Sequence, residues 1–292
     1  MQPFVERLKR PEPIILDGGT GTELARRGLD TGTPIWSALA LMEAPHIVEQ
    51  VHADYLAAGA EVIITNTFRT HRRNLETVGL GAEAARLTAL AVAIAQQAVH
   101  NTRRVAYVAG SISPLEDSYS PHLTHSHATY LTEHGELAAN LAAAGVDLLL
   151  AETMNTVAES AAAAEAAAAC GLPFGVSWVC GDDGRLLSGE SLAEAVDAVA
   201  PHGPAFLAIN CTPAPVLGRA LEALRAASAL PLGAYANIGH TDTLAAWQHT
   251  QDASPAEYAA CGAKWLEMGA QLIGGCCNTT PDHIAALQTV SA

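Results

Sequence analysis

Leu148-Leu149-Leu150-Ala151-Glu152-Thr153 opens the stretch whose reading decides the fold, residues 148–179, LLLAETMNTVAESAAAAEAAAACGLPFGVSWV. The apolar run Leu148–Ala151 is too short for a helix and too uniform for a strand with one wet face. It reads as a strand buried on both sides. Val157–Cys170 is long and Ala-rich, the composition of a helix, and Gly171 follows where a left-handed residue can end it. Phe174–Val179 is the next apolar run. Strand, helix and strand joined by short links make a parallel β/α unit.

The same alternation extends both ways along the chain. Further strand candidates are Ile14–Leu16, Val62–Thr65, Val105–Gly110, Ala205–Ile209, Leu232–Ala236 and Leu272–Gly274. Between them lie helical segments at Pro45–Ala58, Ala82–His100, Thr129–Ala144, Ser191–Ala200, Pro215–Ala227 and Pro255–Met268, and a last one at Pro281–Thr289. Ser191 and Glu194 have capping-box spacing. Pro255 and Pro281 stand at first helical positions, where a missing N–H costs nothing. Gly59, Gly145 and Gly269 follow helices as Gly171 does. Eight β-then-α units with no linker and no break in composition predict an α/β fold, a single (β/α)8 TIM barrel over residues 1–292. A dinucleotide-binding sheet is disfavoured: Asp17-Gly18-Gly19-Thr20-Gly21 follows the first strand but lacks the third glycine of that fingerprint.

Composition narrows the function. The chain of 292 residues is 50% hydrophobic and 15% charged, ample for a large core. Lys plus Arg number 15 against 30 Asp plus Glu, a formal net charge of −15. Phosphate backbones demand a basic surface, so nucleic acid is not the expected partner. No stretch is long and apolar enough to suggest a membrane span, and Met1–Arg10 has no signal-peptide core. A cytoplasmic protein acting on small molecules is the expectation. There, clustered cysteines point to metal or catalysis more than to disulfides.

In a barrel, chemistry gathers at the C-terminal ends of the strands. Reading those positions gives Asp17; Asn66, Thr67 and Arg69; Ser111 and Ser113; Glu152 and Thr153; Trp178 and Cys180; Asn210 and Cys211; Asn237; and Cys276 with Cys277. Contact with solvent explains Asn and Ser there, but explains adjacent cysteines poorly. Vicinal cysteines do not readily bridge each other. Three thiolates with one open position is the pattern of a catalytic zinc site, and soft ligands select zinc over magnesium or calcium. Ordinary buried cysteines are the competing reading. Cys170, Cys180 and Cys261 read as structural. His122, His125, His127 and His134 crowd one segment, but their spacing matches no closed zinc motif, so a solvated loop and helix start is the default. His283 reads as structural or solvated, and His71, Arg72 and Arg73 as a solvated basic face. Trp36, in a long loop, is a candidate to cover the barrel mouth.

Taken in order, Asp17-Gly18-Gly19-Thr20-Gly21-Thr22-Glu23-Leu24, Asn66-Thr67-Phe68, Glu152-Thr153, Asn210-Cys211 and Gly274-Gly275-Cys276-Cys277 resemble the homocysteine S-methyltransferase family. The likeness spans Asp17 to the final helix. Pro34-Ile35-Trp36-Ser37 and Tyr235-Ala236-Asn237 are most similar to its single-domain bacterial and plant branch. The resemblance implies a barrel that uses zinc to move a methyl group onto homocysteine, giving methionine. It implies Cys211, Cys276 and Cys277 as the Zn2+ ligands. Asp17 and Glu152 would hold the substrate ammonium, the Gly18 backbone its carboxylate, with Ser37 nearby. Asn210 and Asn237 join this substrate-binding set. The implied donor is S-methylmethionine, then S-adenosylmethionine, then betaine. Quaternary ammonium groups usually need an aromatic cage; this chain is 5% aromatic, and Arg69 stands where betaine enzymes tend to carry Tyr. Its length suits no cobalamin-dependent multidomain enzyme. Another small thiol or selenol as acceptor, and a zinc- or ligand-binding barrel without turnover, are the alternatives.

Overall fold

The computed structural model describes residues 2–32, 34–239 and 253–291. Its strands are β1 Ile14–Ile15, β2 Val62–Ile64, β3 Tyr107–Ile112, β4 Leu148–Met154, β5 Phe174–Trp178, β6 Phe206–Pro213, β7 Leu232–Asn237 and β8 Ala270–Gly275. They form one 8-stranded sheet in the order β1-β8-β7-β6-β5-β4-β3-β2, and every pair is parallel. Between β1 and β2 the barrel closes through a parallel bridge of Leu16 to Val62. The Asp17 amide donates to Val62 O at 3.0 Å and the Glu61 amide to Ile15 O at 2.7 Å. This is the (β/α)8 barrel expected from the alternation of apolar runs and Ala-rich segments.

Helices among the described residues are α1 Phe4–Leu8, α2 Thr20–Arg26, α3 Ala40–Glu43, α4 Pro45–Ala57, α5 Arg72–Glu76, α6 Ala84–Thr102, α7 His127–Ala144, α8 Val157–Ala168, α9 Leu192–Val199, α10 Ala214–Ala227, α11 Pro255–Glu267 and α12 Pro281–Gln288. Capping boxes at Ser191–Glu194 and Ser254–Glu257 begin α9 and α11. Gly59, Gly145, Gly171 and Gly269 all take positive φ. No helix among the described residues is long and apolar enough to cross a membrane.

Alternation along the strands divides the core in two. Leu148 and Leu150 point into the barrel with Ile14, Leu16, Tyr107 and Leu272. Leu149 and Ala151 point outward against the helices. The N-terminal end of the barrel is stoppered by α1. Phe4 packs edge-on against Tyr107 and Phe206, with ring centroids 5.2 and 5.9 Å apart. Arg7 bonds both carboxylate oxygens of Glu61 and donates to Glu12 O at 2.9 Å and Pro13 O at 2.8 Å.

Some boundaries differ from expectation. The third strand runs over Tyr107–Ile112 rather than Val105–Gly110: pairing starts where the Tyr107 amide meets Glu61 O at 2.8 Å, leaving Val105 77% exposed. The fourth and sixth strands continue past their apolar runs through β-bulges, to Met154 and Pro213. Helices α1, α2 and α5 are short and too mixed in composition to stand out in the sequence. Their partners are tertiary.

Candidate active site

One cavity opens at the C-terminal ends of the strands. The loops after β1, β2, β3 and β8 form its walls, together with residues of β4, β6 and β7. Cys211, Cys276 and Cys277 meet in it. Their sulfurs all lie within 4.8 Å of one another, and Cys211 Sγ and Cys277 Sγ are 3.8 Å apart. Two ligands on a tetrahedral zinc with bonds of roughly 2.3 Å stand about 3.8 Å apart, so the cluster has the dimension of such a site. Among the described residues this is the one group of His, Cys, Asp or Glu gathered closely enough to hold a metal.

Local backbone devices aim these sulfurs. By alternation Phe206, Ala208 and Asn210 face inward, while Leu207 and Ile209 face the helices; Cys211 would follow outward. Instead Cys211 takes φ 48°, and the bulge between Asn210 and Pro213 brings it to the cavity. Thr153, after inward-facing Glu152, does the same on β4 with φ 61°. Left-handed geometry at such residues costs on the order of 1–3 kcal/mol, sustained by the surrounding bonds. The vicinal pair is held differently. The Cys276 amide donates to Ala236 O at 2.8 Å, the Ile238 amide to Cys277 O at 3.0 Å, and Thr279 Oγ1 to Cys276 O at 2.7 Å. The preceding glycine has no room for a side chain: a Cβ on Gly275 would stand 2.2 Å from Thr279 Oγ1.

Without a cation three adjacent thiols cannot all ionise. Cys211 is held below the ordinary thiol range because Cys276 and Cys277 hydrogen-bond to its sulfur. Those two are pushed well above it, first because their thiols donate to the Cys211 sulfur, then by burial and by the second negative charge they would set beside the first. A divalent cation would offset that repulsion. Tyr119 also hydrogen-bonds to Cys211, and burial raises its phenol.

Glu152 lies beside the sulfurs, and Asp17 lies within electrostatic reach of Glu152. Burial raises Glu152 to about 7. Ser111 Oγ donates to its Oε1, and Tyr235 OH to its Oε2 at 3.3 Å. Asp17 is fully buried, and its carboxyl is raised by burial and, to a lesser degree, by Glu152. Its Oδ2 accepts from the Ile64 amide at 2.9 Å. Its Oδ1 has no partner among the described residues. Two buried acids with an unsatisfied oxygen suit an ammonium group, which would restore both charges. No Lys, Arg or His lines the cavity among the described residues.

Gly18, Ser37 and Glu152 border the cavity with the three cysteines. Ser37 Oγ donates to Asn66 Oδ1 at 2.6 Å, and Asn66 Nδ2 returns a bond to Ser37 O at 2.9 Å. Asp17, Asn210 and Asn237 do not border it; Asp17 lies behind the lining, within electrostatic reach of Glu152. The Asn210 amide is taken up by Ser177, Thr153 and Cys276, and Asn237 Nδ2 donates to Gly239 O at 3.3 Å. Trp36, with φ 44°, lines the mouth and meets Phe68 edge-on at 5.6 Å. Tyr119 and Tyr235 also line it, and sequence reading gave no sign of the former: it lies in an irregular loop with no period.

The other sequence candidates lie elsewhere. His125 bonds Glu116 at 2.7 Å and buried His134 bonds Glu159 at 3.1 Å, so these histidines share no common ligand position. His283 caps α12 through Thr280. His71 is buried rather than solvated and bonds Ser113 O at 3.1 Å, while Arg72 and Arg73 pair with Glu136 and Glu133. Buried Arg69 bonds Glu116 O at 3.0 Å and stacks its guanidinium 5.4 Å from the Phe68 centroid.

The chain is similar to known proteins over nearly its whole length. The profile of the homocysteine S-methyltransferase family matches residues 14–291. A Bacillus subtilis protein named homocysteine S-methyltransferase YbgG is 32% identical, over 97% of this chain and 96% of its own. A protein named selenocysteine methyltransferase from Astragalus bisulcatus is 29% identical over 94% of this chain and 91% of its own. The crystal structure of the homocysteine methyltransferase MmuM from Escherichia coli in its metallated form superposes with a TM-score of 0.85, at 30% identity and 99% coverage of both chains. With its barrel, its three-sulfur cluster and a profile match over nearly its whole length, the chain belongs to the homocysteine S-methyltransferase family.

Proposed function

We propose that the chain catalyses zinc-dependent transfer of a methyl group from a sulfonium donor, S-methylmethionine foremost and S-adenosylmethionine second, to L-homocysteine, giving methionine. The observation that carries this reading is the convergence of Cys211, Cys276 and Cys277 in a cavity that also holds Glu152. Those three residues would hold the zinc, which when bound supplies the charge that keeps a coordinating thiol deprotonated at neutral pH.

The chain's own groups do the rest. Asp17 and Glu152 hold the acceptor's ammonium, and the Gly18 backbone with Ser37 takes its carboxylate, so the acceptor sulfur is fixed toward the cysteines. Trp36, Phe68 and Tyr119 cover the mouth and exclude water, and their ring faces suit a cationic donor. The acceptor sulfur attacks the methyl carbon in line. One S–C bond forms, the donor's S–C bond breaks, and its electron pair stays on the donor sulfur, which leaves neutral. Positive charge on the donor is lost along this path, so a lining without fixed cations favours it. Orientation supplies much of the remainder.

The whole chain, 1–292, is taken as one working unit, since the contributing strand ends run from Asp17 to Cys277. Six unpaired cysteines fit a reducing compartment such as the cytoplasm. The relationship to a chain named selenocysteine methyltransferase supports a second acceptor class, small selenols.

The test is a donor panel with homocysteine, read by mass detection of methionine, beside zinc analysis of the wild type and Cys277→Ala. About one zinc per chain, lost with activity in the variant, is expected. Full methyl transfer by metal-free protein overturns the proposal. Competition between homocysteine and selenocysteine ranks the acceptors.

A further inference from the structure

Asn210 sits one residue before Cys211, on the inward face of β6, yet it does not border the cavity. Its side chain spans three strands. Oδ1 accepts from the Thr153 amide at 2.9 Å on β4 and from Ser177 Oγ at 2.7 Å on β5. Nδ2 donates to Thr153 Oγ1 at 2.7 Å and lies 3.9 Å from Cys276 Sγ. Thr153 and Cys211 are the two residues whose left-handed backbone breaks the inward–outward alternation of β4 and β6. One amide therefore fastens both bulges to each other, and its remaining proton reaches toward a second sulfur of the cluster.

We propose that Asn210 is a positioning residue of the three-sulfur centre: it clamps the β4 bulge at Thr153 to the β6 bulge, and so holds Cys211 in its left-handed turn with its sulfur beside those of Cys276 and Cys277. This rests on the reading of the three thiols as zinc ligands. The amide is fully buried and each of its atoms has a protein partner, so its role is to orient ligands and not to bind the methyl acceptor. Without the clamp, the unfavourable turn at Cys211 loses the bonds that sustain it. The strand can then relax toward regular alternation, which turns that sulfur to the helix side. Groups that orient metal ligands from behind are typically worth 10–100-fold in affinity.

The test measures zinc affinity by competition with a chromophoric chelator, and the sulfur-to-metal charge-transfer bands of the cobalt-substituted protein. Wild type, Asn210→Ala, Thr153→Ala, Thr153→Ser and Ser177→Ala are compared, with circular dichroism to verify folding. A fall in zinc affinity of about tenfold or more in Asn210→Ala, with weakened charge-transfer bands, is expected. Thr153→Ala should fall in the same direction and Thr153→Ser should restore the wild-type value, because it keeps the hydroxyl. Ser177→Ala, which leaves the clamp intact, should match the wild type. A folded Asn210→Ala protein with unchanged affinity and spectrum overturns the proposal. If that variant does not fold, Thr153→Ala decides: affinity equal to wild type overturns it, and a fall rescued by serine upholds it. A wild type that binds no zinc refutes the underlying reading instead, so the two failures are distinguishable.

Discussion

Replacing Glu152 by Gln should make the metal-free protein more stable above neutral pH while destroying its grip on the acceptor. Burial raises this carboxyl from 4.5 to about 7, so between those values the folded state holds a proton that the unfolded chain releases. Stability of the metal-free chain therefore falls as pH rises through that window. At 1.36 kcal/mol per pKa unit, the loss from this group is roughly 2 kcal/mol between about pH 5 and pH 7.5. Asp17, raised in the same direction, adds to the slope in both proteins. Glu152→Gln keeps the bonds from Ser111 and Tyr235 within reach and has no proton to release. Urea denaturation under chelator and reductant, at both pH values, gives the comparison. The wild type should lose roughly 2 kcal/mol more than the variant over that interval. In kinetics the variant should raise the KM for homocysteine by about 10–100-fold, the worth of a charge-assisted contact of roughly 1.5–3 kcal/mol. Identical pH slopes for the two proteins would refute the assignment of a strongly raised carboxyl, and an unchanged KM would refute its contact with the ammonium.

Three further outcomes follow from the packing. Gly275→Ala places a Cβ 2.2 Å from Thr279 Oγ1; thermal melts should report a loss of about 1–3 kcal/mol, and zinc content should drop because Cys276 adjoins the shift. Trp36→Ala should raise the KM for a sulfonium donor about 3–10-fold, the range of a lost cation–π contact, with little change in the KM for homocysteine; steady-state kinetics with each substrate varied will separate the two. Arg7→Ala removes the four bonds that seat α1, and urea denaturation should give a loss of about 2 kcal/mol, reduced by the partial exposure of Glu61, with kcat retained where the protein is folded.

The barrel was legible because runs such as Leu148–Ala151 and Phe174–Val179 are apolar on both faces, and because caps at Ser191, Ser254 and the helix-ending glycines are local chemistry. Gathering Cys211 with Cys276 and Cys277 was legible only as a consequence of that fold, since strand ends meet at one face. The orientation of side chains at those ends was not. A period of two places Asn210 and Cys211 on opposite faces, and only the bulge, tied to its partner on β4, brings Cys211 round. The same break hid Asn210's role: nothing local distinguishes an amide that touches ligand from one that braces a neighbour. Tyr119 reaches the sulfurs from an irregular loop, where sequence carries no geometric signal. His71 is buried by α7, a contact that its basic neighbours disguise.

Because α1 stoppers the far end of the barrel, traffic among the described residues uses the mouth at the C-terminal ends of the strands. On the proposed reading the amino-acid acceptor lodges below, among Glu152 and Asp17, and the donor rests above it beneath Trp36 and Phe68. The lower guest must then arrive before the upper one and depart after it. Methylated acceptor stays trapped until the spent donor has left, and excess donor occupying the porch of an empty chamber bars the acceptor from entering.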